Sequence, residues 1–548
     1  MSKRAYSLLM AMAALMICST LLACCPSVTP PVAAPSLAPT SKSSPQIHAV
    51  TAVTNGVKKY ERFEATVDLA ATYTNPYDQA EVTLEATFIA PSGETMTVSG
   101  FWDGEETWRV RFGPWEEGEW RYAVRLQDTL GRVEAEGGSF DVAPSNHHGW
   151  LQVASWIDPA YSPRYLAHHD GTPFYGVGHC DAWTIFRYDP TYGLNPDTGI
   201  LLFDLMREHG ENVVVYWPHE INLFFPSYDD YSWMDMAAID TVFAEAEQRD
   251  IYIMYTIWDH ALLRDETHPW GGSKWYLNGF SKLTPDIEGF FTDVEAWRWQ
   301  ENFYRYLIAR WGYSQSVVWQ TVSEIDGTNA YEHTDEWHAR VNRYFADNDP
   351  YRHPVTASMA SDRWWPAGNA AMDLPQMHSY DARFDVDDNT DRIIEWTKRM
   401  WVDQTKPNFI GEFGAQGQAA YPEMLHDAIW GALTSGAAIT PMKWHDTGQW
   451  GRMTDVNFDQ MATFSTFVSD IPFHTLSLEL AGVEAGDSHL RVEALVGDCF
   501  ALFWVMDPER GRRQGDVVTL QGLADGEYVV RPFDTWQGTY LPTSEISV

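Results

Sequence analysis

From about residue 150 to residue 473 the chain repeats one pattern, a short apolar run of strand length followed by a longer stretch with helical periodicity. The runs fall at 174–178, 212–217, 251–258, 317–324, 354–359, 374–380, 408–412 and 437–444. Helical patterns lie between them at 200–209, 236–248, 294–311, 336–345, 392–401 and 422–434. Residues 361–370 lack a helical signal and are expected to form an irregular crossover. Runs that are apolar throughout belong to strands buried on both faces, and helical crossovers make neighbouring strands parallel. Eight such units match a closed (β/α)8 TIM barrel, which needs about 250 residues. The expected fold class is therefore α/β, with residues 146–473 assigned to the barrel.

Two of the runs end in a carboxylate. Lys406-Pro407-Asn408-Phe409-Ile410-Gly411-Glu412-Phe413-Gly414 is bounded by Pro and Gly and delivers Glu412, and Val317-Val318-Trp319-Gln320-Thr321-Val322-Ser323-Glu324 delivers Glu324 in the same way. All strand C-termini of a parallel barrel open on one face, so the two glutamates are expected at one mouth. Asp326, just past the second run, is the nearest substitute acid. The other strand ends add His179, Asp181 and Trp183 after the first run, Trp217, His219 and Glu220 after the second, and Trp258, Asp259 and His260 after the third. The sixth ends in His378, Ser379 and Tyr380, and the eighth in Trp444, His445 and Asp446. Aromatic faces mixed with carboxylates and imidazoles suit a ligand that has both apolar C–H faces and many hydroxyls.

The flanks read differently. Residues 47–145 carry alternating segments at 63–69, 82–88, 108–112 and 120–126, separated by turn signals such as Asn75-Pro76 and Asp103-Gly104. Period-two strands with regular turns predict a β-sandwich, with Trp102, Trp108 and Trp120 in its core. Residues 474–548 alternate again and predict a small antiparallel C-terminal β-sandwich. At the N-terminus, Lys3 and Arg4 precede an apolar run to Leu22, the layout of a signal peptide over 1–23. Leu21-Leu22-Ala23-Cys24 resembles a bacterial lipobox, which implies lipidation of Cys24. Residues 24–46, rich in Pro, Ser and Thr, then read as a tether between membrane and enzyme. The expected location is the cell surface as a membrane-anchored lipoprotein, or the exterior as a secreted protein. Five scattered cysteines do not supply a disulfide framework. A formal net charge of −39 argues against nucleic acid and polyanions and favours a neutral substrate.

Two resemblances sharpen this reading. Asn75-Pro76-Tyr77-Asp78, Gly100-Phe101-Trp102-Asp103-Gly104 and Glu117-Gly118-Glu119-Trp120-Arg121-Tyr122 make the 47–145 segment similar to the immunoglobulin-like domain at the N-terminus of many bacterial glycoside hydrolases. By position, glutamates ending the fourth and seventh strands resemble those of clan A of the glycoside hydrolases, close to its cellulase-and-mannanase group. That resemblance implies a retaining glycoside hydrolase acting on a polysaccharide or oligosaccharide, with Glu324 as acid/base and Glu412 as nucleophile. Retention needs the two carboxyls about 5–5.5 Å apart. Tyr380 and Trp444 match clan positions that contact the nucleophile and floor the cleavage subsite. The clan's acid/base usually follows Asn, which binds the sugar 2-hydroxyl. Here Ser323 stands in that place and is expected to make a shorter or water-mediated contact.

The substrate-binding set expected from strand ends is therefore His179, Asp181, Trp183, Trp217, His219, Trp258, Asp259, Ser323, His378, Tyr380 and Trp444. The acid/base is expected to have its pKa raised by the neighbouring nucleophile. No cofactor and no catalytic metal are expected, since the first strand offers Gly178-His179-Cys180-Asp181 and not His-x-His, and neither Cys-x-x-Cys nor His-Glu-x-x-His occurs. The alternatives are a glycan-binding surface lipoprotein on a degenerate barrel and a metal-dependent barrel hydrolase.

Overall fold

The structure is a computed structural model that describes residues 44–54, 56–181, 187–189, 193–218, 224–267, 272–360, 363–381, 386–415, 421–445, 453–511 and 515–548. The sequence-predicted positions Cys24, Trp183, His219, Glu220 and Asp446 lie outside the described residues.

Among the described residues eight parallel strands form the central ring: β1 (Gly178–Asp181), β2 (Val213–Tyr216), β3 (Tyr252–Asp259), β4 (Val317–Ser323), β5 (Val355–Thr356), β6 (Gln376–Asp381), β7 (Phe409–Ala415) and β8 (Trp444–His445). The ladders run β5–β4–β3–β2–β1–β8, and β6 pairs with β7. Two seams close the ring. Asp373 and Leu374 donate backbone N–H bonds to Val355 O at 2.9 and 3.2 Å, joining β5 to the entry of β6, and Phe413 N bonds Met442 O at 3.0 Å, joining β7 to the approach of β8. Every residue of β3 and β4 is buried, as expected of strands covered on both faces.

Helices α1 (Pro196–Glu208), α2 (Met236–Glu247), α3 (Val294–Trp311), α4 (Thr334–Asn348), α5 (Pro366–Ala371), α6 (Val386–Asp403), α7 (Pro422–Leu433) and α8 (Asp455–Val468) alternate with the strands. Their starts follow local capping chemistry. Asp235 accepts from Ala238 N at α2, Asp293 from Glu295 N and Ala296 N at α3, and Thr454 with Asn457 forms a capping box at α8. The crossover expected to be irregular holds the six-residue α5, begun by Pro366 at a position where its missing N–H costs nothing.

Strand boundaries shift where backbone chemistry intervenes. Among the described residues the last strand, expected over 437–444, forms its ladder at Trp444–His445, Pro441 being unable to donate; Ile439 and Lys443 make isolated bridges to Gly176 and Phe413. The first strand, expected over 174–178, starts at Gly178 instead. Phe174 belongs to a small antiparallel sheet with Leu151–Val153 and Leu166–His168. That sheet packs Leu151, Val153, Leu166 and Phe174 against Val213, Tyr252 and Phe409, near the strand starts, and so plugs the bottom of the barrel. The bottom is closed; the top remains for chemistry.

Two facing, mainly antiparallel sheets lie between residues 46 and 143, with Trp108 and Trp120 buried in the core between them. This sandwich is locked to the barrel by charge. Arg111, only 4% exposed, bonds Glu64 within the sandwich and both carboxylate oxygens of Asp240 on α2; Arg310 of α3 joins Asp240 to Asp103. The C-terminal sheets, including 491–497 and 500–506, pack on α7. Trp536 stacks on His426 at 3.8 Å between ring centroids, and Arg510 pairs with Asp427. Among the described residues no helix is long and apolar enough to cross a membrane.

Candidate active site

Glu324 is the first residue beyond β4 and sits in the left-handed region, φ 53° and ψ 53°, where a non-glycine residue is uncommon. The distortion turns the chain at the barrel mouth. It is held by Ser358, whose hydroxyl accepts from Glu324 N at 2.9 Å and whose carbonyl accepts from Ile325 N at 3.0 Å. Glu412 lies inside β7 opposite a register shift. Met377 of β6 pairs with Ile410, but the next residue, His378, pairs with Glu412, so Gly411 is the extra residue of a bulge. A Cβ at Gly411 would fall 1.6 Å from Gln376 Oε1, which is why this position is glycine.

His378 lies between the carboxylates. Its Nδ1 is 3.0 Å from Glu324 Oε1 and 3.3 Å from Glu412 Oε2, and the contacting atoms of the three side chains all lie within 4.8 Å of one another. Tyr380, at the end of β6, donates its hydroxyl to Glu412 Oε2 at 2.8 Å. The second oxygen, Glu412 Oε1, is buried with no hydrogen-bond partner among the described residues, and the Ser323 side chain acts on the Glu412 carboxylate to favour its charged form. On the far side His260 Nδ1 lies 3.8 Å from Glu324 Oε2 and 3.2 Å from Asp259 Oδ1. Trp217 and Trp444 meet edge to face at 5.7 Å and pack with Tyr380 on the barrel's inner face, forming an aromatic floor beside the carboxylates.

The electrostatics are those of a coupled cluster. Burial pushes Glu412 up to about 7, and the negative Glu324 adds to this against the charge of His378 and the Tyr380 bond. Burial acts on Glu324 too, but the His378 hydrogen bond and charge, with His260 and Arg264 behind them, hold its pKa below the usual value. His378 is raised: burial opposes its charge, and the carboxylates of Glu412 and Glu324 outweigh burial. The expectation of a raised Glu324 is thus corrected. His260 and Arg264 act on the Glu324 side of the pair, so Glu412 is the raised member and Glu324 the lowered one.

Of the expected site residues, Glu324, Glu412, Ser323, His378, Tyr380, Trp217 and Trp444 converge on this mouth. Three do not. His179 and Trp258 point out of the barrel into the layer beneath the helices: His179 bonds Glu211 at 2.9 Å, and Trp258 donates to Tyr304 Oη at 2.9 Å among Phe225, Phe280, Phe290 and Phe303. Asp181, two residues after His179, shares its outward face and lies 3.4 Å from His445. Strand alternation makes the difference, since the inward residue between them is Cys180. Asp259 caps Ala261 N at 2.8 Å and holds His260, and so supports the site without lining it. His260, Arg264, Ser358 and Cys180 are additional neighbours. Of these only His260 stands at a strand end where sequence reading could find it.

A family profile described as a domain of unknown function (DUF5060) matches residues 56–127, within the sandwich. No curated protein matches the chain. Among solved structures, a protein from Bacteroides vulgatus ATCC 8482 with the provisional description of glycoside hydrolase is 18% identical, with a TM-score of 0.59, covering 90% of this chain and 94% of that one. A glycoside hydrolase family 5 mannosidase from Rhizomucor miehei, 12% identical, aligns with a TM-score of 0.45 over 59% of this chain and 98% of its own. A β-glucuronidase from an uncultured Clostridium, also 12% identical, aligns with a TM-score of 0.40 over 77% and 68%. Over nearly its whole length the chain shares the fold of the Bacteroides vulgatus structure.

Proposed function

We propose that this protein is a retaining glycoside hydrolase of a polysaccharide or its oligosaccharides, with Glu412 as nucleophile and Glu324 as acid/base. The observation that carries the reading is the approach of the two carboxyls within 4.8 Å at the open mouth of a barrel. That spacing fits direct attack and leaves no room for the intervening water of an inverting enzyme, whose carboxyls stand about 6.5–9.5 Å apart. Glu412 Oε1 attacks the anomeric carbon as the glycosidic C–O bond breaks, and Glu324 gives its proton to the departing oxygen. Water then loses a proton to Glu324 and displaces Glu412, restoring both groups. Tyr380 fixes Oε2 so that Oε1 carries the lone pair for attack. Trp217 and Trp444 offer the apolar surface on which a pyranose face can pack. Structural likeness to a glycoside hydrolase fold supports the same class.

The Leu21-Leu22-Ala23-Cys24 motif and the Pro-rich stretch after it support export and lipid anchoring through Cys24. Mass analysis of the membrane-extracted protein, expected to show a diacylglyceryl adduct lost in Cys24→Ser, tests that part alone.

A glycan hydrolysis screen with anomer-resolved NMR detection tests the chemistry. The first-formed product keeps the substrate's anomeric configuration. Glu324→Ala lowers kcat/KM about 10²–10⁴-fold, the usual worth of a general acid/base, and Glu412→Ala abolishes turnover with circular dichroism unchanged. Sugar binding without cleavage, unaffected by either change, would assign the chain to glycan recognition instead.

A further inference from the structure

The outward face of β1 carries a group of side chains that the hydrolytic reading does not use. His179 is fully buried, and its Nδ1 is held by Glu211 at 2.9 Å. Its other nitrogen, Nε2, is buried with no hydrogen-bond partner among the described residues. Asp181, one turn of the pleat further on, lies with its Oδ2 3.4 Å from Nδ1 of His445 on β8. One ligand atom from each of His179, Asp181 and His445 lies within 4.8 Å of the others. We propose that these three residues bind a divalent transition-metal ion, zinc by preference, which staples β1 to β8 on the outer side of the barrel.

The donor set and its surroundings argue for this. Two imidazoles and a carboxylate are the ligand types that borderline-soft divalent ions select. Tetrahedral ligands about 2.0–2.1 Å from zinc stand about 3.4 Å from one another, the separation already present between Asp181 and His445. A metal-bound histidine ordinarily has its free nitrogen fixed by a carboxylate, as Glu211 fixes His179. Lys443 is a positive charge acting on His179, and the carboxylates of Glu211 and Asp181 oppose it there. His445 is 13% exposed, which gives an ion a path inward. The location also has a structural use, since β1 is the partner of β8 in the ring and Asp181 and His445 are paired in their ladder.

The full chain, freed of metal with chelator and dialysed, is titrated with Zn2+ by calorimetry and with Co2+ by visible absorption. About one ion per chain is expected, with a tetrahedral Co2+ spectrum lacking a thiolate band and a Tm raised by several degrees at saturating Zn2+. His445→Ala, at a partly exposed position that tolerates truncation, removes both the binding and the Tm shift. Two other clusters serve as controls: His333→Ala, in the surface group Glu288, Glu332 and His333, and Glu324→Gln, in the candidate active site, leave them unchanged. X-ray absorption at the zinc edge of the wild-type chain, expected to show two imidazoles, tests the ligand set even if His445→Ala folds poorly. Absence of stoichiometric binding, or binding that survives His445→Ala and is lost in either control, overturns the proposal.

Discussion

At the scale of single residues, the site is governed by where one proton resides. Glu324 and Glu412 face a common imidazole at 3.0 and 3.3 Å, so their titrations belong to the pair. The pair holds a single proton from below the ordinary carboxylate range up to about pH 7, where Glu412 loses it. That singly protonated form is the one retaining chemistry requires, once the leaving oxygen draws the proton to Glu324. A bell-shaped kcat/KM profile with its basic limb near pH 7 is expected, and Glu324→Ala, assayed on a substrate with an activated leaving group, loses that limb. The same raised pKa is a stability statement. Glu412 binds its proton more tightly folded than unfolded, so its contribution is fully present below the unfolded carboxylate value and is lost as pH rises through about 7. Thermal melts of Glu412→Gln should therefore exceed wild type by a few degrees at pH 8 and converge with it at pH 4. Both glutamates were legible in sequence as strand-end carboxylates, but their pKa order was not, because His378, His260 and Arg264 come from separate stretches and gather on Glu324's side.

Among the elements, β6 and β7 decide the site's geometry. Their ladder slips by one residue at Gly411, and that slip places His378 opposite Glu412. Gln376 cannot easily yield to a new side chain there, since its Nε2 is tied to Thr356 Oγ1 at 2.9 Å and its side chain is buried. Gly411→Ala is expected to cost about 1–3 kcal/mol, the range of an overpacked core, and to lower kcat more than it raises KM by displacing Glu412 and His378. Denaturant titration and steady-state kinetics measure the two effects. Apolar runs marked the middle six strands and only touched the first and the last, and inward and outward faces could not be read from them, because strands buried on both sides carry no alternation to read. His179, Asp181 and Trp258 face outward, while Trp217, Tyr380 and Trp444 lie on the inner face.

For the whole molecule, the sandwich and the barrel share one charge network. Arg111 from the sandwich and Arg310 from α3 both depend on Asp240 of α2, and each is nearly buried. Burial of both guanidiniums holds because Asp240 stays ionised, its pKa pulled well below the usual range by the hydrogen bonds and charges of the two arginines against the opposing effect of burial. Asp240→Ala leaves Arg111 with Glu64 alone and Arg310 with Asp103 alone, and is expected to cost about 3 kcal/mol, the lower end for breaking a buried pair. Calorimetry should show the main transition moved down by several degrees, with the sandwich separating as an earlier event. The sequence showed where the sandwich lay, through turns and alternation, but the arginine partners are far apart in the chain and only packing brings them to one aspartate.

What the amino-acid order alone determined was local: strand and helix periods, the caps that start helices, and two acids that close apolar runs. Those follow from contacts between near neighbours, and near neighbours are written side by side. The closed ring, the face each strand turns inward, the proton shared across His378 and the outer cluster of His179, Asp181 and His445 arose only in three dimensions. Each depends on burial and on charges that meet across the fold, and neither quantity exists until the chain has closed on itself.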